Sequence, residues 1–364
     1  MKKGLFICCT PYQLMVAIIL YFQCYSENDT ADIIITNTFI NSEKIVENLR
    51  KQNVFNNVHY AKSIHYINPG TFRGKVRKIK FMISYKKEVL EVLNGDSFYD
   101  ELYYNCEDLF LFNLASVLRK QNEKCILNRF EEGYSTYIKN VSSSQKSKRI
   151  IKMRNKIQRI FMDGEFDNLY LLEPELLLNK NQKNIKKIEG EISKTENYRK
   201  CISKVFGTDK LVHPYTKQFI IFEESFSNDG FIIDDISIFS EIIGILGADN
   251  VSVKLHPRSK NNRFEKFNVD LHEADGIPWE AILLTCDLKS VTLITMASGS
   301  VINSRLLFKD KTKAVLMYKC LKEKPPLLDE KFDLFIDKFS RKCEDGVFVP
   351  QNIEEVRSLI NQNI

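Results

Sequence analysis

Phe130-Glu131-Glu132-Gly133 sets two carboxylates side by side ahead of a glycine. A carboxylate that is partly desolvated or close to other acids has a raised pKa and can take a proton from a hydroxyl. Adjacent residues of an extended segment point to opposite sides, so one of Glu131 and Glu132 is expected to face a site and the other to face away. A second group, His256-Pro257-Arg258, closes the β-forming run Val251 to Leu255. Pro257 stiffens the turn that carries the imidazole, and Arg258 adds a planar fork suited to phosphate or carboxylate. A third, Ser298-Gly299-Ser300, follows a strand-like run and opens a helix-like one. Hydroxyls and free N–H groups at a helix start suit an anion, and they also suit plain N-capping. Asp229, before Gly230 in the loop Phe222 to Gly230, is either a turn residue or a further carboxylate of the site. A second His-Pro pair, His213-Pro214, has no clear strand before it and no arginine after it, and reads as linker.

The elements needed to position these groups alternate along the chain. Gly4 to Cys9 reads as a buried strand, after which Thr10 is placed to cap a helix with Pro11 at its first position. Tyr12 and Gln13 then lie at that helix start, a corner suited to an anion or a sugar. Strands are predicted around Ile33, Val58, Leu102, Ile126 and Leu169, with helices at Ser42–Lys51, Leu109–Lys120 and Ser135–Ile160. The polar stretch 179–204 is expected to be helical and to cross between halves. The rhythm restarts with strands at Gln218–Phe222, Val251–Leu255, Val291–Thr295 and Lys313–Met317, separated by helices at Ile233–Ile245, Trp279–Leu284 and Ser298–Leu307. Alternating β and α segments predict parallel sheets covered on both faces. The fold class is therefore α/β, with two doubly wound Rossmann-like domains, 1–205 and 206–350, facing a crevice, and a C-terminal helix in 351–364. Ligands of such sheets bind at the carboxyl ends of the strands.

Composition narrows the function. At 364 residues, 44% hydrophobic and 27% charged, the chain is globular and long enough for two cores. Its apolar runs are too short to span a bilayer, and Thr10-Pro11 breaks the N-terminal one before any cleavage site, so a cytoplasmic protein is expected. The nine cysteines and five histidines are scattered without metal-ligand spacing, so no zinc site is expected. Two basic runs free of acids, Arg73–Lys87 and Lys146–Arg159, fit solvated helix faces or attraction to an anionic membrane surface. Ile150, Met153, Ile157 and Ile160 recur at helical spacing in the second. No nucleic-acid-binding pattern accompanies the charge, so nucleic acid ranks last. The dinucleotide fingerprint, the P-loop and the nucleophile elbow are all missing from the sequence.

Phe6-Ile7-Cys8-Cys9-Thr10-Pro11-Tyr12-Gln13-Leu14 resembles the opening of bacterial glycosyltransferase family 52, the sialyltransferases of lipooligosaccharide and capsule synthesis. Glu131-Glu132-Gly133 resembles the acidic-acidic-Gly motif of bacterial sialyl- and polysialyltransferases. Lys254 to Arg258 resembles their His-Pro motif, and Ser298 with Ser300 their serine motif, in the family's order. The resemblance implies a GT-B fold, an inverting transfer from CMP-sialic acid to a surface-glycan hydroxyl, no metal and no cofactor. It implies donor binding by His256, Pro257, Arg258, Ser298, Gly299 and Ser300, and an acceptor side with Thr10, Pro11, Tyr12, Gln13 and Gly133. The base is Glu131 or Glu132 in related families. In one branch of family 52 it is an aspartate ahead of the His-Pro motif, for which Asp229 is the nearest match. The acceptor is expected to be lipid-linked, with the protein peripheral to the inner membrane face. Homodimerisation is left open. A GT-B transferase using another nucleotide sugar, or a non-catalytic glycan- or nucleotide-binding protein on this fold, are the rival readings.

Overall fold

A computed structural model of the chain describes residues 1–62, 86–105, 109–138, 166–179, 182, 184–211, 215–259, 261–272, 276–286, 288, 290–343 and 346–362. The second basic run, with Ile150, Met153, Ile157 and Ile160, lies outside them, as do His213-Pro214 and all of the first basic run but Lys86 and Lys87. The described residues fall into two compact units, one of 1–174 with 179–205, the other of 175–178 with 206–364.

The first unit is built on a seven-stranded parallel sheet in the order β3-β2-β1-β4-β5-β6-β7. Its strands are β1 Lys3–Cys8, β2 Thr30–Thr36, β3 Val58–Ala61, β4 Glu101–Tyr104, β5 Ile126–Phe130, β6 Asn168–Leu171 and β7 Ile185–Lys187. Strand β1 is central, and Gly4 to Cys8 are all buried because both faces of the sheet are covered. Helix α1, Pro11–Cys24, leaves β1 through a two-residue turn. Thr10 caps it, its Oγ1 accepting the Gln13 N–H at 3.1 Å, and Pro11 occupies the first turn. Tyr12 to Leu20 are buried without a break, which marks a helix enclosed on all sides. Stretch 179–204 is only partly helical: it supplies β7, which pairs with β6, before helix Glu196–Phe206. The Ile-Lys-Lys of β7 is a short, charged edge strand with no alternation to reveal it.

The second unit has a six-stranded parallel sheet in the order β10-β9-β8-β11-β12-β13. Its strands are β8 Phe219–Phe222, β9 Val251–Lys254, β10 Asp270–His272, β11 Thr292–Thr295, β12 Lys313–Leu316 and β13 Val347–Phe348. The apolar Phe-Ile-Ile-Phe of β8 is buried throughout, as a central strand requires. In each sheet the chain winds outward on one side of the first strand and then returns to the other. The switch points are therefore β1/β4 and β8/β11. The helix Ile353–Asn361 packs within the second unit, against helix Asp235–Leu246.

Candidate active site

In the first unit, the exits of β1 and β5 are joined by a two-by-two set of hydrogen bonds. Tyr12 and Gln13 open α1, and Glu131 and Glu132 follow β5. The Tyr12 hydroxyl donates to Glu131 Oε1 at 2.7 Å, and Gln13 Nε2 donates to Glu132 Oε2 at 3.2 Å. The oxygen of the same Gln13 amide, Oε1, accepts the Cys9 N–H at 2.6 Å, so the amide is fixed to the backbone at the end of β1. Glu131 is wholly buried. Its Oε2 accepts the Leu172 N–H at 2.8 Å and the Tyr137 hydroxyl. Burial pushes its carboxyl up to about 7, against the pull of those donors. Glu132 is half-buried, and the Ser135 hydroxyl donates to its Oε1 at 3.2 Å. Gly133 turns the chain at φ 110°, a backbone conformation that glycine adopts without strain.

In the second unit, the exits of β8, β9 and β11 carry the remaining groups. The residues that organise them are Glu223 and Glu224, at the end of β8. Glu223 Oε2 accepts the His256 backbone N–H at 2.9 Å and the Ser259 hydroxyl at 2.6 Å. Its Oε1 accepts Arg263 Nε at 3.0 Å, and Arg263 forks onto buried Asp235 at 2.7 and 3.1 Å. Glu224 turns the other way: Oε1 accepts the Thr295 hydroxyl at 2.6 Å and the Ala297 N–H at 2.9 Å. One strand thereby fixes the His-Pro turn on one side and the Ser-Gly-Ser turn on the other.

The imidazole of His256 is oriented by the Arg258 N–H, which donates to Nδ1 at 3.1 Å. Nδ1 is thus the acceptor and Nε2 carries the proton in the neutral ring. Burial, with Arg258 and Lys254 nearby, holds this imidazole down at about 4, so it is neutral at pH 7. Arg258 forks onto Asp229 at 2.6 and 3.2 Å and onto Ser225 Oγ at 2.8 Å. Ser225 also donates to Asp229 at 2.8 Å. Those partners hold the Asp229 carboxyl below its usual range, which makes it a poor proton acceptor. Pro257 is exposed. Ser298 stands at the N-cap of helix α8 (Gly299–Phe308, the eighth α-helix among the described residues) but caps nothing with its hydroxyl. Its N–H is held instead by Thr295 Oγ1 at 2.9 Å. Ser298, Gly299 and Ser300 are all partly exposed.

Each unit therefore gathers its own predicted residues at the carboxyl ends of its strands. Sequence reading missed Ser135, Glu223, Glu224, Ser259, Arg263 and Glu280. A signal existed for two of them: Phe-Glu-Glu closes β5 and closes β8 again, with the Phe as the last strand residue each time. Glu280, in the first turn of helix Trp279–Thr285, is buried and pushed up to about 7 by that burial, with Lys254 opposing.

A family model of alpha-2,8-polysialyltransferases (POLYST) matches residues 4–317. The chain belongs to that family. No curated protein matches it in sequence. Among solved structures, a sialyltransferase from Photobacterium damsela is 13% identical with a TM-score of 0.53, over 96% of this chain and 81% of that one. The kitacinnamycin glycosyltransferase is 7% identical with a TM-score of 0.55, over 100% and 90%. A UDP-N-acetylglucosamine 2-epimerase from Listeria monocytogenes is 10% identical with a TM-score of 0.53, over 99% and 87%. At such identities these likenesses speak for the fold, and this polysialyltransferase-family chain has the GT-B fold. It is a glycosyltransferase of the sialyltransferase kind.

Proposed function

We propose that this protein transfers sialic acid from CMP-sialic acid to a sugar hydroxyl of a bacterial surface glycan, without a metal and with inversion. The family's name favours an α2,8 linkage to a sialic acid already on the acceptor. The observation that carries the reading is the contrast between the two carboxylates after β5: Glu131 is spent on three internal donors, while Glu132 is half-buried and held from two sides. Glu132 is the base. It takes the proton of the acceptor hydroxyl as that oxygen attacks the anomeric carbon, through an oxocarbenium-like state.

On the donor side, charge develops on the CMP phosphate as the bond to the sugar breaks. Neutral His256 supplies its Nε2–H, and the first turn of α8 supplies backbone N–H groups with the Ser298 and Ser300 hydroxyls. Arg258 is neutralised by Asp229 and sets the electrostatics of the loop. The acceptor lies on the side of Thr10 to Gln13 and Gly133. The basic runs favour a peripheral station at an anionic membrane face. Among the described residues no helix is long and apolar enough to cross a membrane.

The decisive experiment is transfer from CMP-sialic acid to sialylated and unsialylated glycan acceptors, with linkage analysis of the product and parallel assays with UDP- and TDP-sugars. CMP-sialic acid is expected to be the donor consumed. Glu132→Gln is expected to lower kcat by about 10²–10⁴-fold, the usual worth of a general base. Turnover of another nucleotide sugar, or a Glu132→Gln enzyme as fast as wild type, would overturn the reading.

A further inference from the structure

The base needs an aim as well as an environment. Resting on the function proposed above, we infer that Gln13 and Ser135 are positioning residues that clamp Glu132 and select the lone pairs it offers to the acceptor hydroxyl.

The geometry is two-sided. Gln13 Nε2 donates to Oε2 at 3.2 Å and Ser135 Oγ to Oε1 at 3.2 Å, so each carboxylate oxygen receives one of these donors. Each oxygen has about two lone-pair sites, and the clamp engages one on each. Gln13 is itself rigid. It is buried, 1% exposed, and its Oε1 accepts the Cys9 N–H at 2.6 Å, so its amide cannot rotate without losing that bond. The clamp therefore refers Glu132 to the end of β1, two strands away from β5 in the sheet order. The Glu132 N–H is fixed as well, donating to Thr136 Oγ1 at 3.0 Å. Around this corner stand the titratable groups Tyr12, Tyr137, Glu131 and Glu173, which meet about the Glu131 carboxylate.

Each donor meets one oxygen of the carboxylate, so together they fix its orientation. Replacing the Gln13 amide by a carboxylate keeps the acceptor for Cys9 N–H but turns the donor facing Glu132 into a like charge. Glu132 would then hold its proton to higher pH. Removing the Ser135 hydroxyl has the same sign and a smaller size.

The test compares wild type, Gln13→Glu, Ser135→Ala and Glu132→Gln in full-length protein, by transfer from CMP-sialic acid across pH, with thermal melts alongside. Gln13→Glu is expected to move the acid limb of the kcat profile up by about 1–2 pH units, the size of a near like-charge effect. Ser135→Ala is expected to lower kcat by about ten-fold and move the limb in the same direction. The donor KM is expected to stay within two-fold in both. A purely structural role would lower the melting temperature and leave the limb where it is. Ser135 is partly exposed, so its variant keeps the test available if Gln13→Glu does not fold. Acid limbs unchanged in the folded variants, with an active wild type and an inactive Glu132→Gln, would sink this inference alone. A wild type that moves no sialic acid would sink the functional reading and this inference with it.

Discussion

His256 shows how neighbours set the working form of a side chain. Three causes, burial first and then Arg258 and Lys254, press its pKa from 6.5 down to about 4. The Arg258 N–H occupies Nδ1, so a second proton there would cost that bond. A donor phosphodiester carries one negative charge and would raise the value, but from a low start. The ring thus serves as a neutral hydrogen-bond donor through Nε2. Its folded pKa lies below the unfolded one, so its stability contribution is full above about 6.5 and is lost as pH falls toward 4. Two outcomes are expected. The His256 C2–H resonance, identified by its loss in His256→Asn, titrates with a midpoint near 4 in the free protein. The donor kcat/KM shows no descending limb near 6.5. A midpoint at 6.5 with such a limb would instead make His256 an imidazolium during turnover.

Strand β8 contributes through two adjacent side chains that diverge. Glu223 holds the turn after β9 and Glu224 the turn after β11. Strand order makes this effective, since β9 and β11 flank β8. Glu223→Gln replaces one acceptor oxygen by an amide donor, which faces either the His256 N–H and Ser259 hydroxyl or Arg263 Nε. One buried group is left unsatisfied, at a cost of about 1–3 kcal/mol. Urea unfolding should show that loss, and CMP binding by titration calorimetry should weaken by about ten-fold or more because the His-Pro turn is no longer fixed. Loss of stability with unchanged CMP affinity would separate Glu223 from the donor site. The sequence alone displayed the Ser298 cap position and the His-Pro turn. It did not display their common anchor, because the two turns are 41 residues apart in the chain, from Pro257 to Ser298, and are joined by β8, which precedes both.

Across the whole molecule, the α/β rhythm was legible wherever strands are apolar and central: β1, β2, β8, β9 and β11 all lie where the hydrophobic runs place them. The short edge strands β7, β10 and β13 were not, because Ile-Lys-Lys, Asp-Leu-His and Val-Phe carry too little pattern to register. Helix Glu330–Lys342 was also passed over, although Phe332, Phe335, Ile336 and Phe339 line one buried face at helical spacing. Half of the residues that sequence reading missed, Glu223, Glu224 and Glu280, are buried acids, whose role depends on what folds around them.

Such acids tie the chain's stability to pH. Glu280 is 5% exposed, and burial lifts its carboxyl from 4.5 to about 7. A folded pKa above the unfolded one means the folded state binds more protons between those values. Stability from this group is therefore complete below about 4.5 and is lost as pH rises through 7. The loss approaches the order of 3 kcal/mol at pH 8, from the free energy of a pKa shift of this size. Glu131 acts in the same direction in the other unit. Glu280→Gln keeps the shape and stays neutral at every pH. The melting temperatures of variant and wild type should nearly coincide at pH 5 and diverge toward pH 8, where the variant is relatively more stable. Melting curves that ran parallel from pH 5 to 8 would mean that Glu280 ionises in the folded protein as it does in the unfolded chain, with Lys254 meeting its charge in full.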